Sequence, residues 1–334
     1  MLKTLFQAPK VLLVVEESHV REEIFRKILS SLRISFKIIL LKPKCKNRFF
    51  VAQEFCAKLN KYKQGVPLII YVCLNTKNTP IELLEGFPFL IDIYDPLLGL
   101  SQKDGEREFV LIKSSIGCFC RDTRIHYVLR KRGERDLLKK LHFAPDSPVD
   151  ESGSRRKNNK AVSVGWLDGI EETDSPLNKL FTFCRTQRIE PWVIPSRFQK
   201  NLVIEKKDFL RILPKTHSDY RKILGLFSFG LVQPCWDRQG EFLYPEWYLA
   251  RASSSRMMDY IGADLTPVLP KYLRFQKWIA RKGSFEPVIF DRKMKFEFKI
   301  RKRNSSKTIS EFCHRHQKKI AMLIESIYKN QKYH

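Results

Sequence analysis

The sequence predicts an α/β protein made of two Rossmann-like βαβ domains. Three observations carry that prediction. Short continuous apolar runs, such as Val11-Leu12-Leu13-Val14-Val15, are the pattern of parallel strands buried on both faces. Segments with apolar residues at helical spacing separate those runs, so strand and helix alternate. A polar stretch from Asp146 to Lys160 interrupts the alternation, which then restarts. A chain of 334 residues fits two domains of about 150 residues each.

In the first half, Val11–Val15 reads as the opening strand. Ser18 caps a helix carrying Ile24, Ile28, Leu29 and Leu32, and Phe36–Leu41 is the next strand, which completes a βαβ unit. Phe49–Leu59 reads as helix, Val66–Leu74 as strand and Ile81–Leu84 as a short helix. Phe89–Tyr94 is a strand ending at Asp95-Pro96. Glu108–Ile112 and Gly117–Cys120 read as further short strands, and Arg124–Leu141 as one basic helix.

In the second half, Lys160–Trp166 is a strand running into a turn at Gly165. Ser175-Pro176 opens a helix, since proline behind a serine cap is a favoured start. Pro191–Ile194 and Phe209–Leu213 read as strands, and Asp219–Leu224 as a short helix. Phe227–Val232 is a strand stopped by Pro234. Ser253–Ala263 then forms a helix, Thr266–Leu269 a strand, and Thr308–Tyr328 a long terminal helix. The expected domains are 1–150 and 160–310, with 311–334 as a helix that packs back toward the first.

Hydrophobic residues make up 43 % of the chain and aromatic residues 12 %, enough to fill two cores. The formal net charge of +26 attracts polyanions, meaning nucleic acid, anionic lipid surfaces or phosphorylated substrates. Basic clusters at Arg130-Lys131-Arg132 and Arg155-Arg156-Lys157 carry no helix-turn-helix, zinc-finger or RNA-recognition signature, which disfavours nucleic acid. The 8 cysteines include no C-x-x-C pair and read as buried thiols in a reducing compartment. No stretch reaches the ~20 apolar residues of a membrane span. The expected location is cytoplasmic, with peripheral contact on an anionic membrane surface.

The densest chemistry lies at Ser253-Ser254-Ser255-Arg256-Met257-Met258-Asp259-Tyr260. Hydroxyls and a cation at a helix start can hold phosphate, and a carboxylate one turn on can take a ribose. Gly165 lets the backbone approach a diphosphate. Asp95, at the carboxyl end of a strand, is placed to hold an acceptor hydroxyl or take its proton; the bland alternative is a turn-forming Asp-Pro. Walker A, G-x-G-x-x-G, G-x-S-x-G and D-x-D motifs are all missing. Cys313, His314 and His316 lack metal-ligand spacing.

The order Val164-Gly165-Trp166, then Phe229-Gly230-Leu231-Val232-Gln233-Pro234, then Ser254-Ser255-Arg256-Met257-Met258-Asp259-Tyr260, then Pro267-Val268 resembles the second domain of GT-B-fold glycosyltransferases, in particular the family 4-like group. The resemblance implies two facing domains and a terminal crossing helix. It implies metal-independent transfer of a sugar, with retention, from a nucleotide-diphosphate donor to a glycan or lipid-linked hydroxyl acceptor. No cofactor is implied beyond that donor substrate. By position, Gly165, Ser254, Ser255 and Arg256 match the phosphate contacts and Asp259 the ribose contact, with Asp95 and Arg256 as catalytic groups. Arg197 or Lys200 would add a phosphate contact. Asp259 stands where the family has Glu, Asp264 where it has Gly, and Arg251 where its upstream acid falls. The alternatives are a non-catalytic relative that only binds, and a basic nucleic-acid binder.

Overall fold

The computed structural model describes residues 10–16, 20–41, 53, 55–57, 68–73, 76–79, 81–84, 87–147, 158–165, 167, 174–195, 211–213, 220–297 and 307–331. The chain divides into two compact units, Met1–Asp146 with His314–His334, and Ser147–Cys313.

The first unit holds a fully parallel six-stranded sheet made of β1 (Val11–Val15), β2 (Phe36–Leu40), β3 (Leu68–Cys73), β4 (Phe89–Ile93), β5 (Gly117–Cys120) and β6 (Leu141–Phe143), in the order β2-β1-β3-β4-β5-β6. All five residues of β1 are fully buried, as expected where helices cover both faces of a parallel sheet. Val11, Leu13 and Val15 pack on one face with Phe25, Ile28 and Leu29 of the Val20–Ser31 helix, and with Ile320 and Ile324 of the Lys307–Gln331 helix. Each such buried side chain contributes roughly 1.5–3 kcal/mol.

The second unit holds seven strands: β7 (Lys160–Gly165), β8 (Glu190–Pro195), β9 (Arg211–Ile212), β10 (Phe229–Leu231), β11 (Thr266–Pro270), β12 (Val288–Phe290) and β13 (Phe296–Glu297). They run β13-β12-β11-β10-β7-β8-β9, and only β13 is antiparallel. Counted from β7, the six parallel strands read 3-2-1-4-5-6, the doubly wound order whose direction reverses between β7 and β10. Ligands of such sheets bind beyond the carboxyl ends of the strands at that reversal, so Gly165 and Leu231 mark the place to look. Ser175 caps the Pro176–Thr186 helix, its Oγ accepting from the Asn178 N–H at 3.2 Å, with proline in the first turn.

Three readings of the sequence are corrected. Glu108–Ile112 is helical and lies inside the Gln102–Ser114 helix, whose start Ser101 caps through the Asp104 N–H. The run Phe109-Val110-Leu111-Ile112 has strand composition, but Gly105, Glu108, Leu111 and Ile112 are inward at helical spacing. Arg124–Leu141 is not one helix. It breaks into Arg124–Lys131 and Arg135–Lys139 at Gly133, where φ is +79°, and Leu141 begins β6. Asp146, read as the start of a linker, is buried and ion-paired. The rest of that stretch up to Lys157, apart from Ser147, lies outside the described residues, as do Ser18, Trp166, Arg197 and Lys200 and most of Phe49–Leu59.

Candidate nucleotide site of the second unit

At the β7/β10 reversal, a single helix organises both strand ends. The Ser255–Gly262 helix buries Met257, Met258, Asp259, Tyr260 and Ile261. The Tyr260 hydroxyl accepts the Val164 N–H of β7 at 3.0 Å and donates to the Leu231 carbonyl of β10 at 3.2 Å. It thereby satisfies backbone groups of the two strands where they diverge. Burial pushes the phenol above its ordinary range, so it stays a neutral hydroxyl. Gly230 makes room for the ring, since a Cβ there would lie 2.3 Å from Tyr260 Cγ.

Gly165 ends β7 with φ at +103°, and a Cβ on it would lie 2.5 Å from Arg256 Nε. The guanidinium therefore lies directly over the bare backbone of the turn. Arg256 forms no ion pair among the described residues. A bare glycine turn beneath a planar cation is the setting in which a diphosphate can meet backbone and guanidinium together.

Ser254 is the N-cap, extended at φ −140° and ψ 126°, and its side chain makes no capping bond. Its carbonyl accepts the N–H groups of Met257 and Met258. Ser254, Ser255 and Arg256 are all half-buried. Asp259, one turn on, is 1 % exposed and accepts a hydrogen bond from the Tyr220 hydroxyl. Tyr220 was not legible as a partner of Asp259, because the pairing spans 39 residues and no local spacing encodes it. The helix closes in a Schellman arrangement: Leu265 N–H donates to the Tyr260 carbonyl and Asp264 N–H to the Ile261 carbonyl. Asp264 has φ +64°, the left-handed conformation that glycine favours and aspartate tolerates. An aspartate here therefore keeps the turn geometry that a glycine would adopt.

Gly165, Ser254, Ser255, Arg256 and Asp259 thus belong to one segment pair in one unit. Arg251 donates to the Trp247 carbonyl at 3.1 Å, and Glu246 begins the Glu246–Leu249 helix a turn upstream.

Asp95 belongs to the first unit. It follows β4 and pairs with Arg121 at 2.8 Å and with Arg124 at 3.8 Å, with its side chain 46 % exposed. Arg121 also stacks over the Tyr94 ring at 3.6 Å and lies 3.7 Å from Asp146. Asp146 in turn contacts Arg21, whose guanidinium forks onto Asp92. Burial opposes the charges on Arg21 and Arg121. Asp92 for the one, and Tyr94 with Asp95 for the other, outweigh that effect and hold both guanidinium groups firmly protonated. The network ties the carboxyl ends of β4, β5 and β6 together. Asp122 is buried against Arg124 at 2.7 Å.

No group of three or more potential metal-ligating side chains forms among the described residues. Among them, no helix is long and apolar enough to cross a membrane.

No protein-family model matches the chain, and no curated protein matches it. Solved structures of similar fold include glycosyltransferases. Phytolacca americana UGT2, complexed with UDP-2fluoro-glucose and pterostilbene, is 10 % identical with a TM-score of 0.49, over 96 % of this chain and 94 % of that one. SnogD from Streptomyces nogalater is 8 % identical with a TM-score of 0.48, over 96 % and 100 %. A UDP-glucose:anthocyanidin 3-O-glucosyltransferase in complex with UDP is 7 % identical with a TM-score of 0.49, over 96 % and 95 %. The class that its own strand orders define is an α/β protein of two doubly wound units with a C-terminal helix.

Proposed function

We propose that the chain is a glycosyltransferase whose second unit holds a nucleotide-diphosphate sugar and whose acceptor is a hydroxyl compound. The observation that carries this reading is the Arg256 guanidinium over the left-handed Gly165 turn, at the reversal of a 3-2-1-4-5-6 sheet, with buried Asp259 one helical turn away.

In this reading the Gly165 backbone, the Ser254 and Ser255 hydroxyls and the first turn of the helix receive the diphosphate. Arg256 neutralises the charge that builds on the leaving phosphate, the role electrostatic catalysis assigns to a preorganised cation. Asp259 accepts from the ribose hydroxyls, sharing or displacing the Tyr220 hydroxyl. No step requires a metal. Asp95, in the first unit, is the acceptor-side carboxylate that the family resemblance proposes, and Arg121 fixes its orientation. Transfer would proceed with retention, as in the family 4-like group.

The test is release of nucleoside diphosphate from a panel of nucleotide sugars. Turnover in the wild type that falls about tenfold or more in Arg256→Ala and Asp259→Ala supports the reading. Two observations favour a second reading, a non-catalytic protein that only binds the nucleotide: Arg251 in place of the family's upstream acid, and the Arg121 hold on Asp95. Saturable nucleotide binding without release in any acceptor mixture would establish that one.

A further inference from the structure

A second place on the carboxyl edge of the same sheet has a different character. The loops after β11 and β12, the Arg274–Lys282 helix and the Phe242–Glu246 segment border an open pocket of about 620 Å³, within the size range of ligand sites. Its lining carries five cations, Lys271, Arg274, Lys277, Arg281 and Arg292, against two acids, Glu246 and Asp291. Asp291 is turned onto its own loop and accepts the N–H groups of Lys293 and Lys295 at 2.8 and 2.9 Å. Lys271 and Arg281 already have acidic partners, the exposed Glu297 and the largely buried Glu286. Arg274, Lys277 and Arg292 have no acidic partner among the described residues.

The rest of the wall is aromatic. Arg292 lies over the Phe242 ring at 3.8 Å, and Phe242 packs on Tyr272 at 4.8 Å. The Tyr272 hydroxyl accepts the Cys235 N–H at 2.7 Å, which pins the loop that carries Phe242. Trp278 is 41 % exposed, and Leu243 and Tyr244, on the segment that forms one wall, are 51 % and 49 % exposed. The helix is sharply two-sided. Phe275, Gln276, Ile279 and Ala280 are buried, while Arg274, Lys277, Trp278 and Arg281 line the pocket.

A basic amphipathic helix with an outward tryptophan, next to further exposed apolar residues, matches the chemistry of a bilayer interface. Cations meet phosphate there and aromatic rings settle at headgroup level. A solvated basic surface needs no such apolar rim. We propose that this pocket seats the phosphate of an anionic lipid headgroup on Arg274, Lys277 and Arg292, with Leu243, Tyr244 and Trp278 lying against the acyl boundary. It shares no residue with the Gly165–Asp259 site, so it stands or falls separately from the nucleotide reading.

The test is sedimentation of the full chain with vesicles of equal parts phosphatidylcholine and phosphatidylglycerol at low salt, beside pure phosphatidylcholine vesicles. Arg274→Glu/Lys277→Glu is compared with Lys103→Glu/Lys131→Glu, an equal charge change at exposed sites of the first unit. The expected result is binding to the anionic vesicles only. It should weaken at least about tenfold in the pocket pair, since each basic group near such a surface counts for about one kcal/mol, and little in the control pair. Trp278→Ala should weaken binding without any change in charge. The proposal is overturned by equal losses in the two pairs, by wild-type-like binding of the pocket pair, or by no binding of the wild type. It is also overturned if inorganic phosphate stabilises the wild type through Arg274 and Lys277 while vesicles are ignored. Melting temperature and nucleotide binding of the pocket pair should match the wild type, which separates a lost docking surface from a misfolded chain.

Discussion

Single residues decide this protein at two places. At Gly165 the backbone has φ +103° under the Arg256 guanidinium. Gly165→Ala should cost about 1–3 kcal/mol in backbone strain and push Arg256 aside, so nucleotide affinity should fall by more than the loss of stability explains. Titration of nucleotide into the folded variant checks this, and wild-type affinity would remove Gly165 from the site. The second place is Glu108, fully buried, which accepts from the Leu97 and Leu98 N–H groups and the Thr76 hydroxyl. Burial pushes its carboxyl up to about 7, although those three donors favour the charged form. Between the ordinary Glu value of 4.5 and about 7, the native state binds more proton than the unfolded chain. This contribution is therefore complete below about pH 4.5 and lost as pH rises through about 7. Its size is of order 3 kcal/mol. Urea unfolding at pH 4.5 and 8 should show the wild type losing about that much more than Glu108→Gln. Parallel pH dependences in the two proteins would contradict the assignment.

At the scale of elements, burial pattern decided what could be read from sequence. β1 was legible in full because five consecutive apolar residues admit little else. The Gln102–Ser114 helix was misread because Phe109-Val110-Leu111-Ile112 looks like a strand, and the evidence against it lies at Gly105 and Glu108, whose inward position depends on contacts with residues 76, 97 and 98. Within the candidate site, Gly165 and Ser254–Asp259 were legible as local motifs, whereas Tyr220 and the Tyr260 bridge were not, since only the folded sheet brings those partners together. The terminal helix was legible from its one-sided periodicity. Ile324 on it is fully buried in the core of the first unit beside Val11, Leu13 and Val15. Ile324→Ala should remove about 2–5 kcal/mol, read as a shift in denaturant midpoint, whereas Met322→Ala, at a position 62 % exposed, should change it little. Equal effects would contradict this packing of the helix.

At the scale of the whole molecule, the chain leaves the first unit after Asp146, builds the second, and returns to the first at His314. The two units use their strand ends differently. In the first, the carboxyl ends of β4, β5 and β6 are filled by the network of Arg21, Asp92, Arg121, Asp122, Arg124 and Asp146, paired charges whose disruption leaves a buried ion. In the second, the carboxyl ends of β7 and β10 carry a bare glycine turn and an arginine without an acidic partner among the described residues. A self-satisfied edge and an edge that carries a cation without a described acidic partner differ in character, and the proposed nucleotide site lies on the second. In the proposed function, the second unit binds a nucleotide diphosphate through Gly165, Arg256 and Asp259. The direct measurement is the melting temperature of the wild type, Arg256→Ala and Asp259→Asn across a panel of nucleoside diphosphates and their sugars. One ligand at ~100 times its Kd should stabilise the wild type by about 2.7 kcal/mol and both variants far less. A panel in which no nucleotide shifts the wild type, or in which the variants respond as it does, would contradict the account.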